Sequence, residues 1–115
     1  PLKLRLTRCS NCWPETTSMS AYVVFTREHT TDEAELKLYA RKAPAARQGR
    51  NLTPLAFYGQ LEVLEGGPIE GAVILQFPDI AAAREWYSSP AYQEALQHRL
   101  KGAVYRVFLI DGINH

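Results

Sequence analysis

The chain has 115 residues, a formal net charge of +1, 46% hydrophobic residues and 22% charged residues. This length suits one domain with a single core, and the composition is ordinary for a globular protein. The near-neutral charge excludes a general electrostatic attraction to nucleic acid or to an anionic membrane. No apolar run approaches the roughly 20 residues of a membrane span, and the basic N-terminus leads into polar residues rather than a signal sequence. We therefore expect a cytoplasmic protein.

Residues 1–18 differ in character from the rest of the chain. They precede Met19, the only methionine, and a clear strand begins two residues after it. The simplest interpretation is that translation naturally starts at Met19, so that 1–18 is an N-terminal extension or an expression remnant and 19–115 is the domain. A half-buried edge strand is the alternative, because apolar and basic side chains alternate near the start: Leu2, Lys3, Leu4, Arg5 and Leu6.

The only cysteines are Cys9 and Cys12, in the sequence Cys-Ser-Asn-Cys. Such a pair can be half of a zinc site or a redox pair. Zinc would need two further ligands, and the histidines lack metal-ligand spacing: His29, His98 and His115. A redox pair would open a helix, whereas Trp13-Pro14 follows here. We therefore predict incidental thiols, with no metal and no cofactor.

Hydrophobic periodicity predicts a strand and then a helix at the start of the domain. Ala21–His29 is the strand, and its apolar side chains occupy both of its faces. Thr30 and Glu33 stand in capping-box register before a helix that runs to about Arg47. Pro44 lies inside that helix and predicts a kink or an early end.

Two further strands, Thr53–Leu64 and Ala72–Phe77, are predicted on either side of a hairpin turn at Glu65-Gly66-Gly67-Pro68. In the first of these strands Tyr58 and Glu62 are four residues apart. Because side chains alternate along a strand, the two should lie on the same face.

The stretch FPDIAAAREWYSSPAYQEALQHR, beginning at Phe77, contains two helices and the break between them. Asp79 is predicted to cap the first helix, and Ser89 to cap the second with Pro90 at its favoured first position. The side chains predicted to face inward are Ile80, Ala83, Trp86 and Tyr87 in the first helix, and Tyr92, Ala95, Leu96 and Leu100 in the second. Val104–Ile110 is the last strand.

The order strand, helix, strand, strand, helix, strand predicts an α+β fold of the ferredoxin-like βαββαβ type, a four-stranded antiparallel sheet with helices on one face. Its strands are apolar on both faces, as in Val73-Ile74-Leu75 and Val107-Phe108-Leu109-Ile110. The helices cover only one face, and the other would expose more apolar surface than a monomer tolerates. We therefore predict a homodimer that packs through the open sheet face.

The segment Trp86-Tyr87-Ser88-Ser89-Pro90-Ala91-Tyr92-Gln93, followed by Arg99, is fairly specific in sequence. Together with Ala21-Tyr22-Val23-Val24, Glu62-Val63-Leu64-Glu65-Gly66 and Phe77-Pro78, it makes Met19–Ile113 resemble the bacterial family known as domain of unknown function 1330, within the dimeric α/β-barrel superfamily. Relatives tend to have paired glycines where this chain has Gly49-Arg50 and Tyr58-Gly59-Gln60, so a pocket built there would differ. The resemblance implies a two-chain barrel with a cleft between each sheet and its helices, and no established reaction.

Polar side chains able to reach such a cleft are the candidate ligand-binding residues: His29, Tyr58, Glu62, Tyr92, His98, Arg99 and Arg106. Tyr58 and Glu62 would together hold a small polar ligand. Arg99 would bind a carboxylate through two hydrogen bonds, and His98 would act as a general base. Structural alternatives stay open: Tyr58 at the dimer interface, Glu62 in solvent, Arg99 in a salt bridge with Glu62, Glu94 or Glu28, His98 at the surface, and Tyr92 in the core.

The sequence leaves two functions open. The first is a small-molecule enzyme or binding protein that uses the cleft; as the superfamily implies, its concrete form is a cofactor-independent monooxygenase acting on a phenolic compound. It predicts a deep apolar pocket with a His, Arg or Tyr at its base. The second is a non-catalytic dimer with a regulatory or assembly role and no ligand-sized pocket. RNA binding is excluded because the strand Ala72–Phe77 lacks the exposed aromatic and basic residues that it requires.

Overall fold

The computed structural model describes residues 20–113, and the predictions made for residues 1–18 and for the cysteine pair lie outside this range. Within it the elements are β1 Ala21–Thr30, α1 Glu33–Arg47, β2 Thr53–Phe57, β3 Gly71–Phe77, α2 Ile80–Ser88, α3 Pro90–Gly102 and β4 Ala103–Asp111. None of the helices in this part of the chain is long and apolar enough to cross a membrane.

The four strands form one antiparallel sheet in the order β2-β3-β1-β4. β1 lies between β3 and β4, so that Val24 stands opposite Ile74 on one side and opposite Phe108 on the other. The connection through α1 skips over β3, and the connection through α2 and α3 skips over β1. This is the ferredoxin-like βαββαβ arrangement, and the predicted α+β fold is confirmed.

The core lies between the helices and one face of the sheet. Burial alternates along β1 and β3 because successive side chains of a strand point to opposite faces. The buried cluster contains Val23, Phe25, Val73, Leu75 and Phe77 from the strands, and Trp86, Tyr92 and Leu96 from the helices. Trp86 and Tyr92 are therefore core residues, as their helical spacing predicted.

The first helix begins at a different cap from the one predicted. Asp32 accepts hydrogen bonds from the backbone N–H groups of Ala34 and Glu35. The capping box proposed for Thr30 and Glu33 is wrong, because β1 continues through Thr30 and leaves no helix start there. The N-cap of α1 is therefore two residues later than the pattern indicated, at Asp32 instead of Thr30.

One buried serine organises the break between α2 and α3. Ser89 Oγ donates to the carbonyl of Trp86 at 2.7 Å and accepts from the N–H of Tyr92 at 3.3 Å. Pro90 follows in the first turn of α3, and Asp79 caps α2, so these predicted caps are confirmed. The break brings the rings of Trp86 and Tyr92 to a centroid distance of 4.3 Å.

α1 continues through Pro44 to Arg47, as its predicted bounds indicated, so it has no early end there and the kink stays a prediction. Two predictions of inward-facing helix residues are wrong. Tyr87 is 38% exposed. Leu100 is 61% exposed instead of facing inward. The helical period explains the last result: Arg99 lies seven residues after the buried Tyr92 and takes the inward position, which rotates Leu100 away from the core.

The second strand is shorter than predicted. β2 ends at Phe57 instead of Leu64, and residues 58–70 form an extended irregular segment, the 58–70 segment. Tyr58 has a φ of 55°, in the left-handed region, which interrupts strand geometry at that point. Glu62 therefore shares no strand face with Tyr58, and that prediction is wrong.

The sheet face opposite the helices, the open face, is covered by no other element among residues 20–113. Strand register places Ile74, Val24 and Phe108 in one row across it, and Gln76, Tyr22 and Ile110 in the next: the open face is apolar at its centre. On the edge strand β4, Val104 is 53% exposed, Phe108 45% and Ile110 52%. Apolar side chains thus line both faces of the sheet, whereas the helices cover one.

Candidate functional site

A cavity of about 410 Å³ lies between α1 and the helix-side face of the sheet. α1 packs mainly on α3 rather than on the strands, so a gap stays open beneath it. This volume falls within the range of small-molecule sites, roughly 300–1,000 Å³. The cavity is lined by Phe25, Arg27, Leu36, Tyr39, Ala40, Ala43, Arg47, Phe57, Tyr58, Val73, Leu75, Trp86 and Tyr105.

The sequence of α1 explains why the gap exists. Ala40 and Ala43 line the cavity, and their methyl groups fill little of the space that longer apolar side chains would close. α1 is held against α3 through Leu36 and Gly102, where an added Cβ would lie 2.9 Å from Leu36 Cδ2. The close helix–helix contact at this glycine thus fixes α1 beside α3 and away from the sheet.

Four tyrosines at the cavity and just behind it bond in two pairs. The hydroxyl oxygens of Tyr39 and Tyr92 are 2.9 Å apart, and those of Tyr58 and Tyr105 are 2.5 Å apart. Burial raises the pKa of Tyr39, Tyr58 and Tyr92, and in Tyr92 the nearby Arg99 opposes this effect. These three phenols therefore stay protonated at neutral pH. In each pair one hydroxyl donates to the other, so the second hydroxyl keeps an O–H that can donate to a further acceptor.

Tyr58 is fixed in its left-handed conformation by close contacts at the base of the 58–70 segment. Its N–H donates to the carbonyl of Ala72 at 2.9 Å. Its ring lies against Gly71, where an added Cβ would stand 2.8 Å from Tyr58 Cδ1, and under the Arg27 guanidinium, 5.0 Å from the ring centroid. Such a conformation persists only where the surroundings fix it. These contacts turn the phenol of Tyr58 toward the cavity.

Arg99 is a buried cation surrounded by aromatic rings. Only 3% of its surface is exposed. Its Cζ lies 4.8 Å from the ring centroid of Tyr105, 5.7 Å from that of Phe25 and 5.9 Å from that of Tyr39. These three rings line the cavity, so the guanidinium sits directly behind the cavity wall. Ring faces offset part of the cost of burying a cation, but they are not a counterion.

The salt bridge predicted as the structural alternative for Arg99 is wrong. Within residues 20–113 it forms no ion pair, and its Nε has no hydrogen-bond partner. The three acidic residues expected as partners lie elsewhere: Glu94 beside Lys42, Glu28 beside Arg106, and Glu62 on the exposed 58–70 segment. Because the side chain of Arg99 points inward from α3, its guanidinium lies away from all three carboxylates.

Two more arginines line the cavity itself. Arg27 Nε lies 3.2 Å from Glu70 Oε1, but without the angle of a hydrogen bond. Glu70 accepts hydrogen bonds from Thr30 instead, and these, with the charge of Arg27, lower the pKa of its carboxyl. Arg47, at the end of α1, has no ion-pair partner among the described residues. Positive charge thus exceeds negative charge around the cavity.

Unpartnered hydrogen-bonding groups near the cavity are of one kind. In the described range the buried side-chain atoms without a partner are Arg27 Nε, Trp86 Nε1 and Arg99 Nε. All three are N–H donors. Trp86 and Arg27 line the cavity, and Trp86 is only 2% exposed. Buried donors normally find acceptors, so an acceptor placed in the cavity would satisfy those within reach.

The other predicted site residues lie away from the cavity lining. His98 pairs with Glu35 between α3 and α1, with Nδ1 2.8 Å from Oε1. His29 and Glu62 are exposed, and Arg106 lies on the open face. The structure thus brings together three of the predicted residues: Tyr58, Tyr92 and Arg99.

Several lining residues were missed by sequence reasoning. Arg27 and Tyr105 occupy the helix-facing parity of their strands, the same parity as Phe25 in β1 and Val107 in β4. Both are polar residues at positions where the alternation along the strand predicts a buried side chain, and this is the signal that could have identified them. Tyr39 lines the cavity from α1, and nothing in its helical spacing indicates that its hydroxyl bonds Tyr92 there.

A second cavity, of about 490 Å³, lies at the outer edge of β4. It is lined by Val23, Ala83, Arg84, Tyr87, Ser88, Val107, Phe108 and Leu109. Phe108 belongs to the open face, so any partner on that face would reshape this cavity, and none of the unpartnered buried donors lines it. Residues 20–113 also contain no cluster of His, Cys, Asp and Glu that could hold a metal ion.

A family model described as a domain of unknown function, DUF1330, matches residues 20–113. This range coincides with the folded domain and includes every residue that lines the cavity. The chain belongs to the DUF1330 family. The resemblance expected from the Trp86–Gln93 segment is thereby confirmed. None of the curated proteins matches this DUF1330 sequence.

Solved structures share the fold of this DUF1330 domain at low identity. RPA0582, a protein of unknown function from Rhodopseudomonas palustris, is 19% identical with a TM-score of 0.67, and 84% of each chain is covered. A dimeric ferredoxin-like protein of unknown function from Thermobifida fusca is 16% identical with a TM-score of 0.55, covering 90% of this chain and 99% of that one. SnoaB, a cofactor-independent oxygenase from Streptomyces nogalater, is 10% identical with a TM-score of 0.51, covering 85% and 96%. At these identities the likeness establishes the fold alone.

Replacing Gly71 by alanine in the DUF1330 domain should displace the Tyr58 ring, because the new Cβ would lie 2.8 Å from Tyr58 Cδ1. We expect the free energy of unfolding in urea to fall by about 1–3 kcal/mol, the usual cost of overpacking. Gly67→Ala is the matched control, since nothing lies within 4 Å of a Cβ at that position. Equal stability of the two variants would contradict the packing role assigned to Gly71.

The buried tyrosines predict a loss of stability in alkali. Tyr39 and Tyr58 have raised pKa values in the fold, so above about pH 10 the unfolded chain releases protons that the folded chain keeps. The free energy of unfolding should therefore be fully retained below about pH 10 and fall above it. Urea titrations on both sides of that pH measure the slope. Tyr39→Phe should flatten it.

Proposed function

We propose that this DUF1330 protein is a homodimer that binds a small molecule in the cavity beneath α1. The observation that carries this proposal is the cavity of about 410 Å³ walled by aromatic and aliphatic side chains, with the buried donors Arg27 Nε and Trp86 Nε1, unpartnered within the described residues, in its lining residues. A bacterial and cytoplasmic setting is part of the same proposal, in line with the sequence expectation.

An apolar space of this size that is open to solvent needs a reason. It leaves apolar side chains such as Phe57, which is 56% exposed, in contact with water, although burying apolar surface is favourable. Two alanines of α1, Ala40 and Ala43, keep the space open where larger side chains would fill it. The strained backbone of Tyr58 at the cavity wall adds a further cost. Apolar clefts and retained backbone strain are typical of binding sites.

Binding, rather than catalysis, is the function that the lining supports. No Asp, Glu or His is among the residues that line this cavity, so the wall supplies no general base. The raised pKa of Tyr58 also prevents its phenol from serving as a base at neutral pH. A monooxygenase acting without a cofactor on a phenol, the activity class of SnoaB, would need substrate deprotonation from another source. Oxygen uptake with a panel of phenols tests that version separately.

The dimer follows from the open face. Its exposed apolar side chains, among them Val104, Phe108 and Ile110, would be removed from water if two sheets packed face to face. Face-to-face sheets stand about 10 Å apart, which side chains of this size fill. The ferredoxin-like protein from Thermobifida fusca is described as dimeric, and this supports the same assembly here.

Filling the cavity should abolish ligand binding without unfolding the protein. Ala40→Phe places a ring in the space beneath α1, so compounds that raise the melting temperature of the wild type should no longer do so. Ala45→Phe is the control, because Ala45 is an exposed α1 residue outside the lining. A thermal-shift screen of small apolar acids and phenols provides the measurement. An unchanged ligand effect in Ala40→Phe would place the binding site elsewhere.

A charge on the open face should dissociate the dimer. Phe108→Lys puts an ammonium on the open face, within the proposed interface, where its desolvation is unfavourable, and sedimentation at micromolar concentration should give the mass of one chain. Leu100→Lys is the control, since Leu100 is also an exposed apolar residue but lies on α3. A wild-type protein that sediments as a well-folded monomer would refute the dimer.

A further inference from the structure

We infer that the ligand of this cavity is an aromatic carboxylate, a flat apolar ring system bearing one carboxylate group. The inference rests on the proposed function, since it specifies which small molecule the cavity beneath α1 accepts. Three properties of the site lead to it: the kind of hydrogen-bonding groups left free, the sign of the surrounding charge, and the shape and polarity of the walls.

The free hydrogen-bonding groups call for an acceptor. Arg27 Nε, Trp86 Nε1 and Arg99 Nε are buried donors without partners within the described residues. The bonded tyrosine pairs retain one free O–H each, since one proton of each pair is used between the two oxygens. The lining contributes no carboxylate that would compete as an acceptor. A ligand that only accepts hydrogen bonds, as a carboxylate does, matches this set.

The charge around the cavity calls for an anion. Arg27 and Arg47 line it, and the guanidinium of Arg99 lies directly behind three of its rings. Glu70, beside Arg27, is the one acidic side chain that the described residues bring within salt-bridge distance of these three arginines. A buried cation without a counterion is unfavourable, and an anionic ligand supplies the missing charge. Guanidinium groups bind carboxylates particularly well, through charge-assisted hydrogen bonds.

The walls of the cavity favour a ligand with a flat, apolar ring system. Rings of Phe25, Tyr39, Phe57, Trp86 and Tyr105 surround the space, with Leu36, Val73 and Leu75 between them. Aromatic faces and edges pack well on another ring system. A multiply charged group such as a phosphate dianion would lose far more hydration here than a single carboxylate. A sugar or a polyol would bring donors that find few acceptors in this lining.

The test compares two ligands of the same shape that differ in charge, 2-naphthoate and 2-naphthamide. Binding of each to the full-length protein is measured by isothermal titration calorimetry at neutral pH. We expect 2-naphthoate to bind about tenfold more tightly or better, because charge-assisted hydrogen bonds exceed neutral ones. Ala40→Phe should abolish binding of both compounds, which confines the effect to the cavity.

Arginine variants identify the source of the preference. Arg99→Met keeps the length and removes the charge, so it should lower the affinity for 2-naphthoate and leave that for 2-naphthamide unchanged, while Arg99→Lys retains part of the difference. Arg41→Met is the matched control, because Arg41 is exposed on α1 and does not line the cavity. Circular dichroism checks the fold of each variant. Should Arg99→Met fail to fold, Arg47→Met, at a half-buried lining residue, tests the same charge effect.

The outcomes separate this inference from the proposed function. Equal or tighter binding of 2-naphthamide, still lost in Ala40→Phe, would overturn the carboxylate preference and leave the cavity as a binding site. Binding of 2-naphthoate that survives both Ala40→Phe and the arginine variants would overturn the inference by placing the compound on the surface. If neither naphthyl compound binds and no compound of the thermal-shift screen does, the proposed function fails as well.

Discussion

A four-stranded sheet with apolar side chains on both faces has to be covered twice, and this requirement governs the rest of the molecule. The helices cover one face, where Phe25, Val73 and Trp86 meet in the core. The other face keeps exposed residues such as Phe108, which only a second layer can remove from water. If that layer is a second copy of the chain, the sheet is rigidly held from both sides. A rigid sheet can then tolerate an incompletely filled space on its helix side.

That space has a simple structural origin. α1 gains its stability from α3, through contacts such as Leu36 against Gly102, and is therefore free of the need to pack on the strands. The gap is lined by arginines and tyrosines as well as by aliphatic residues. Polar groups in such a place cost stability unless something satisfies them, and proteins commonly accept this cost at functional sites. The residues that leave the core incompletely filled are thus the ones on which the proposed ligand preference depends.

Local sequence patterns were sufficient for the fold because each one has a single physical cause. Proline after serine at positions 89 and 90 starts a helix, and alternation in β1 and β3 marks buried strands. The site was less accessible because its residues come from β1, α1, α3 and β4, and nothing local indicates that Arg99 faces Tyr105 across the core. The length of β2 was misjudged for a similar reason. Residues after Tyr58 keep strand-like alternation in sequence, while the conformation of one residue, stabilised by Gly71, ends the strand.

The 58–70 segment leaves and rejoins the sheet at two residues that both touch Arg27: Tyr58 stacks on its guanidinium and Glu70 lies beside its Nε. A displacement of Arg27 would therefore change contacts at both ends of the 58–70 segment. If binding of a ligand in the cavity moved Arg27, a molecule bound to the segment would, by thermodynamic reciprocity, change the ligand affinity by the same factor as the ligand changes the affinity of that molecule. The exposed apolar side chains of the segment, Leu61, Val63 and Leu64, are the groups that such a molecule would contact.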